Sequence, residues 1–154
     1  MASLTESQIA GIVETWKIPS QDLFGSGEYI LYEFLSRYPH NQEFFKKFRG
    51  VPLDTLKGKA SFRAHASRIM NRFSATVDCL QLGSEGLEEI QDIWRVIGES
   101  HSKHKITREA FKELEIVVVG ILCEVCNLTE DQKTAWATLL QFCYDAAFET
   151  LGDN

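Results

Sequence analysis

Two histidines carry the strongest chemical signal in this chain. His101 continues the stripe Ile90, Ile93, Trp94 and Ile97, whose steps of three and four set all five residues on one helix face. His65 lies on an earlier stripe of the same kind, with Phe62, Ile69, Phe73 and Val77. Two imidazoles, 36 positions apart, are therefore turned toward the interior. A buried imidazole costs desolvation unless it is bonded. Either each is a core histidine held by a hydrogen bond, or both face something that sits in the core. His101 and His104 admit one more explanation. Both lie at a helix C-terminus, where a cation interacts favourably with the dipole.

Phe44, Phe45 and Phe48 fall within five residues, in the segment EFFKKF. The segment is short, so the rings are not simply the core face of a long helix. They either pin a loop or form a lid on a flat apolar ligand. Together with two inward histidines that lack an acidic partner at matching spacing, they suggest a large apolar cofactor with a metal at its centre. A plain helical domain accounts for the same pattern, and spacing alone does not choose between the two.

Other site chemistries fit less well. Zinc takes four close ligands, and neither H-x-x-x-H nor a Cys/His box is present. Cys123 and Cys126 form a lone C-x-x-C inside the apolar run EIVVVGILCEVC, with no second pair. We read both as small core or near-surface residues. There is no G-x-S-x-G and no phosphate-cradling glycine loop.

The elements that must position these residues are helices. Three prolines are few in 154 residues, and no long run alternates apolar with polar. That length predicts one domain, residues 1–154, with a substantial core. Thr5 and Gln8 form a capping box, with Leu4 and Ile9 as its staple, and Pro19 is expected to end this first helix. A second helix is expected from about Asp22 to Arg37, where Gly25 and Gly27 suggest that another helix crosses closely. Pro39 restarts the chain in a short turn, and the connector Arg49 to Gly58 follows. The helix of His65 is expected from Lys59 to Leu82, broken by the glycines of GSEG. The helix of His101 spans about Leu87 to Ser102. Thr107 caps the next, which runs to about Cys126. Thr129 and Gln132 box the last, ending near Gly152.

Charge narrows the partners. A net charge of −6 argues against nucleic acid and anionic membranes, which bind through neutralising Lys and Arg. No apolar stretch approaches a spanning length, and the N-terminal residues lack a signal-peptide pattern. A cytoplasmic location is expected, with the cysteines reduced.

At these residues the chain resembles the globin family over nearly its full length. Pro39, then Phe45 six later and Phe48 three after that, is similar to the globin bend over the haem. FRAHASRI resembles the distal segment, with His65 as the distal histidine and Ile69 as the branched apolar residue beside it. ESHSKHKI resembles the proximal segment and makes His101 the proposed iron ligand. Trp16 matches a common first-helix tryptophan. WKIP, RGVPL, FRAHASRI and a lengthened turn before the proximal helix look most like the intracellular haemoglobins of insects, flies in particular.

The resemblance implies an all-α globin fold of seven to eight helices packed around a haem pocket. It implies haem b held through His101 Nε2, with the other ring nitrogen donating to a backbone carbonyl or Ser100. Phe45 would pack on the porphyrin. Ile97, Ile106, Phe111 and Leu114 would line the proximal and inner walls, and Leu31, Phe48 and Ile69 the distal side. Lys47, Arg68 and His104 would meet the propionates. The implied partners are O2 and other diatomic gases, in a monomer or homodimer that is not primarily an enzyme. The implied role is storage, transport or facilitated diffusion of O2. A bis-histidyl globin, with His65 as sixth ligand and a redox or nitric oxide/peroxide detoxification role, is the alternative.

Overall fold

The computed structural model describes residues 4–153. Among the described residues there are six α-helices and two short 3-10 segments, eight helical pieces in all, and no strand. The helices are α1 (Glu6–Ser20), α2 (Leu23–Arg37), α3 (Ala60–Leu80), α4 (Gly83–Ser102), α5 (Arg108–Cys126) and α6 (Glu130–Leu151). The 3-10 segments, Pro39–Phe44 and Leu53–Thr55, lie between α2 and α3.

Local chemistry sets most of the boundaries. Both expected capping boxes are present, Thr5 with Gln8 and Thr129 with Gln132. Asp22 caps α2 through Gly25 N–H at 3.0 Å, and Thr107 caps α5 through Ala110 N–H at 3.1 Å. Asn127, in the left-handed region at φ 52°, closes α5.

Pro19 does not end α1 but sits inside its last turn. Proline has no N–H to give to the carbonyl four residues back. That carbonyl, on Thr15, instead accepts from the Cys126 thiol at 3.3 Å. A donor from α5 thus replaces the missing helix bond, and Cys126 acquires a packing role.

GSEG does not separate the third and fourth helices; it forms the first turn of α4. Only Gln81 and Leu82 join α3 to α4, so the expected lengthened turn is absent. Gly83 takes φ +67° and turns the chain there. Gly86 then presses against α3, where a Cβ would lie on top of the Cys79 carbonyl oxygen. Two glycines that would weaken a solvated helix here permit a tight corner.

The packing sets α4 chiefly against α6 and α2 chiefly against α3. Gly27 lets the second pair meet, since a Cβ there would come within 2.7 Å of Ala66 O. Gly25 contributes to the Asp22 cap and not to that crossing. Gly98 is the matching contact between α4 and α6, against the Ala147 carbonyl. Indole N–H groups that enter the core are all bonded: Trp16 to Ser74 at 3.0 Å, Trp94 to Thr76 at 2.9 Å and Trp136 to Thr15 at 2.9 Å. Between α2, α3, α4, α5 and the Phe-rich segment the core opens into a cavity.

Candidate functional site

The cavity holds about 780 Å³, within the range of ligand pockets (roughly 300–1,000 Å³). His65, from the second turn of α3, and His101, from the last turn of α4, both line it. Both are half-buried.

His101 is fixed by its own helix. Its Nδ1 lies 2.7 Å from Ile97 O, one turn back. A carbonyl oxygen only accepts, so Nδ1 carries the proton and Nε2 keeps its lone pair. Ser100 Oγ donates to the same carbonyl at 3.0 Å and lies 3.3 Å from Nδ1. The Phe111 ring packs against the imidazole with centroids 5.4 Å apart. Burial pushes the His101 pKa down. The Ile97 bond opposes that shift, while His104 and Arg72 add to it. The ring is therefore held neutral and oriented, unlike a helix-end cation.

His65 is fixed by rings. Phe45 and Phe48 meet it edge-on at centroid distances of 5.3 and 5.5 Å. Burial pushes its pKa down, and Arg68 and Lys47 push it further. A neutral imidazole results here too, with one N–H donor and one lone pair.

Most of the expected lining residues are brought together. Leu31, Phe45, Ile69, Ile97, Ile106, Phe111 and Leu114 form apolar wall, and Lys47, Arg68 and His104 stand at the mouth. Phe48 does not line the cavity. It is fully buried behind the wall, stacked on Phe45 at 5.4 Å and tilted against Phe62 at 5.5 Å. The resemblance put it on the distal side of the cavity, but Phe45 takes the inner layer and Phe48 the layer that supports it.

Several wall residues were not singled out as site residues from the sequence. Phe34, Phe73, Trp94 and Tyr144 line the inner end. Phe73 and Trp94 lie on the two histidine stripes, so the signal was there. At the mouth, Lys46 and Arg49 join Lys47, Arg72 joins Arg68, and Lys103 and Lys105 flank His104. No Asp or Glu lines the cavity.

This donor set fits a particular kind of group. Among the described residues, no three His, Cys, Asp or Glu side chains converge to hold a bare ion. Two neutral imidazoles on one apolar cavity suit a metal that brings its other donors with it, embedded in an apolar body. The cations at the mouth suit acidic substituents on that body.

Comparison with known proteins agrees with the geometry. The Globin family model matches residues 28–147. A hexa-coordinate hemoglobin of Drosophila melanogaster, studied for its heme cavity and cyanide binding, superposes with a TM-score of 0.90 at 35% identity, covering 97% of each chain. The hemoglobin of the botfly Gasterophilus intestinalis gives 0.87 at 25% identity, covering 96% of this chain and 99% of its own. A globin of Nerita albicilla is 27% identical over 138 residues, 88% of this chain and 85% of its own. The chain, all-helical and built around a cavity flanked by two inward histidines, belongs to the globin family.

Proposed function

We propose that the cavity holds haem b and that the protein binds O2 reversibly for storage, transport or facilitated diffusion in the cytoplasm. One observation carries the reading. His101 presents an Nε2 lone pair to an apolar cavity while Nδ1–H is held 2.7 Å from the Ile97 carbonyl. Ferrous haem supplies an iron that takes a diatomic gas reversibly.

The chain's own residues supply the rest. His101 would hold the iron, and the Nδ1 bond keeps the ring in one orientation and raises its basicity. Phe45 would meet the macrocycle, with Leu31 and Ile69 on the His65 side and Ile97, Ile106, Phe111 and Leu114 on the other. Lys47, Arg68 and His104 would pair with the propionates. His65 would direct an N–H at the gas-binding side, where charge on a bound ligand makes a donor favourable. The apolar wall keeps water and protons away from that side. These are the roles of a binding protein, and none requires a catalytic group.

A second reading has its own support in the 35% identity to a hexa-coordinate hemoglobin. Here His65 itself closes the sixth position, and a gas must displace it. A redox or nitric oxide/peroxide detoxification role would follow. Both readings need His65 neutral, inward and backed by Phe45 and Phe48, as it is. The visible spectrum of the ferrous, gas-free protein separates them: one broad band for an open site, two sharp bands for two histidine ligands.

A further inference from the structure

We propose that Cys123 and Cys126 are a reversible redox pair, closed to a disulfide by a small disulfide oxidant, and that closure frees the end of α1 from α5. The inference does not depend on what fills the cavity.

The C-x-x-C has no part in the cavity lining. It closes α5 instead: Cys126 is the last helical residue, and Asn127 follows in the left-handed region. Residues three apart on a helix are neighbours on its surface. Both thiols are half-buried and free. The other two cysteines have no such partner in sequence. Cys143 is fully buried in α6, and Cys79 lies on α3.

The two sulfurs of the pair have different surroundings. Burial pushes the Cys126 pKa up, and Cys123 adds to the shift. Cys126 therefore keeps the S–H that it donates to Thr15 O at 3.3 Å. Cys123 instead feels a cation. The Glu130 hydrogen bond and charge raise the Lys133 pKa, and Cys123 raises it further. An ammonium beside a thiol favours the thiolate, which is the nucleophile. Cys123 is thus the attacking sulfur and Cys126 the resolving one. The Cys123 thiolate attacks one sulfur of the oxidant and expels the other half as a thiolate. Cys126 then loses its proton and displaces the remaining half from Cys123. The chain gives up two protons and two electrons, and the oxidant becomes two thiols.

Closure moves Cys126. Cβ atoms three apart on a helix stand about 5–6 Å from each other. A disulfide sets them about 3.5–4.5 Å apart. The end of α5 must tighten, and it is free to do so because a turn follows Cys126. The bridged sulfur also has no hydrogen to donate. The carbonyl of buried Thr15 loses that donor, and Pro19 has no N–H to replace it. Thr15 Oγ accepts the Trp136 indole N–H at 2.9 Å, so the same residue also ties α1 to α6. A strained bridge is the readily reduced kind. The pair therefore rests as thiols in a reducing compartment and closes when the thiol pool is oxidised.

The test places the haem-loaded full chain in excess oxidised glutathione. The peptide holding Cys123 and Cys126 should lose two hydrogens in mass, and dithiothreitol should restore them. The melting temperature should fall by about 3–8 °C on oxidation. Amide exchange in the last turn of α1 should speed up by about fivefold or more. Cys126→Ala should reproduce both changes without oxidant. Cys126→Ser, whose hydroxyl still donates, should melt like the reduced wild type, and neither it nor Cys123→Ser should respond to the oxidant. A pair that stays reduced, or that gains glutathione instead of losing two hydrogens, overturns the proposal. So does a closed pair with α1 exchange and melting unchanged. Haem uptake is read separately from the Soret band, and the chain without haem should form the same disulfide.

Discussion

His101 donates its Nδ1–H to the Ile97 carbonyl and keeps the Nε2 lone pair for the cavity, and that single bond decides what the residue can do. His101→Gly should take up haem weakly and lose it on gel filtration, and added imidazole should restore retention. Tight retention without imidazole would remove His101 as the ligand. His65→Leu should leave haem uptake intact and speed O2 release. A hydrogen bond to a charged group contributes on the order of 1.5–3 kcal/mol, so the rate should rise about tenfold or more. Stopped-flow displacement of O2 measures it. Glu115 gives a pH signature independent of the site. Burial raises its pKa above 4.5, with Lys112 opposing, so the ionised form is disfavoured in the folded state. Above both the folded and unfolded values this destabilises the protein; below the unfolded value of 4.5 the effect is gone. Glu115→Gln should therefore raise the melting temperature at neutral pH and leave it unchanged near pH ~4. At this scale the two histidines were legible because a helical stripe states which way a residue points. Phe48 was not, because a motif match sets a residue near the pocket but does not tell the first layer from the second. Lys46, Arg72, Lys103 and Lys105 were not legible either: each is an ordinary exposed cation until three distant segments meet.

At the level of the helices, glycines set how closely the histidine-bearing elements approach their supports. Gly98 lies three residues before His101, and a Cβ there would collide with backbone, the Ala147 carbonyl of α6. Gly98→Ala should destabilise the fold by about 1–3 kcal/mol and shift the Soret maximum, because α4 must move. Gly120, in α5, has nothing within 4 Å of the same position. Gly120→Ala should stabilise by roughly 0.5–1 kcal/mol through helix propensity alone. Urea midpoints of the two variants, moving in opposite directions, check both statements. Caps and boxes were readable because they are local: Thr5, Thr107 and Thr129 each act on a backbone N–H three residues on. Pro19 and GSEG misled for the opposite reason. The Cys126 thiol compensates the proline by bonding Thr15, 111 positions away in sequence, and the Cys79 carbonyl requires Gly86. Neither partner is visible in the local pattern.

The whole molecule divides its charge between a basic cavity mouth and an acidic remainder, although the total of −6 pointed only to an acidic protein. Net charge correctly describes the average surface and conceals the face that surrounds the site. The fold also explains why haem uptake and stability should be linked. The cavity is lined by α2, α3, α4 and α5, and a group that fills it binds only the folded chain. Haem should raise the melting temperature with the logarithm of its affinity, by several degrees or more at saturating concentration. The reading of that cavity as an O2 site is tested most directly by the visible spectrum of the haem-loaded ferrous protein, taken without gas, with O2, and after O2 is removed. The account predicts one broad visible band without gas, two bands with O2, and full return of the first spectrum on removal. Two sharp bands before any gas is added would contradict it, and would place His65 on the iron at rest.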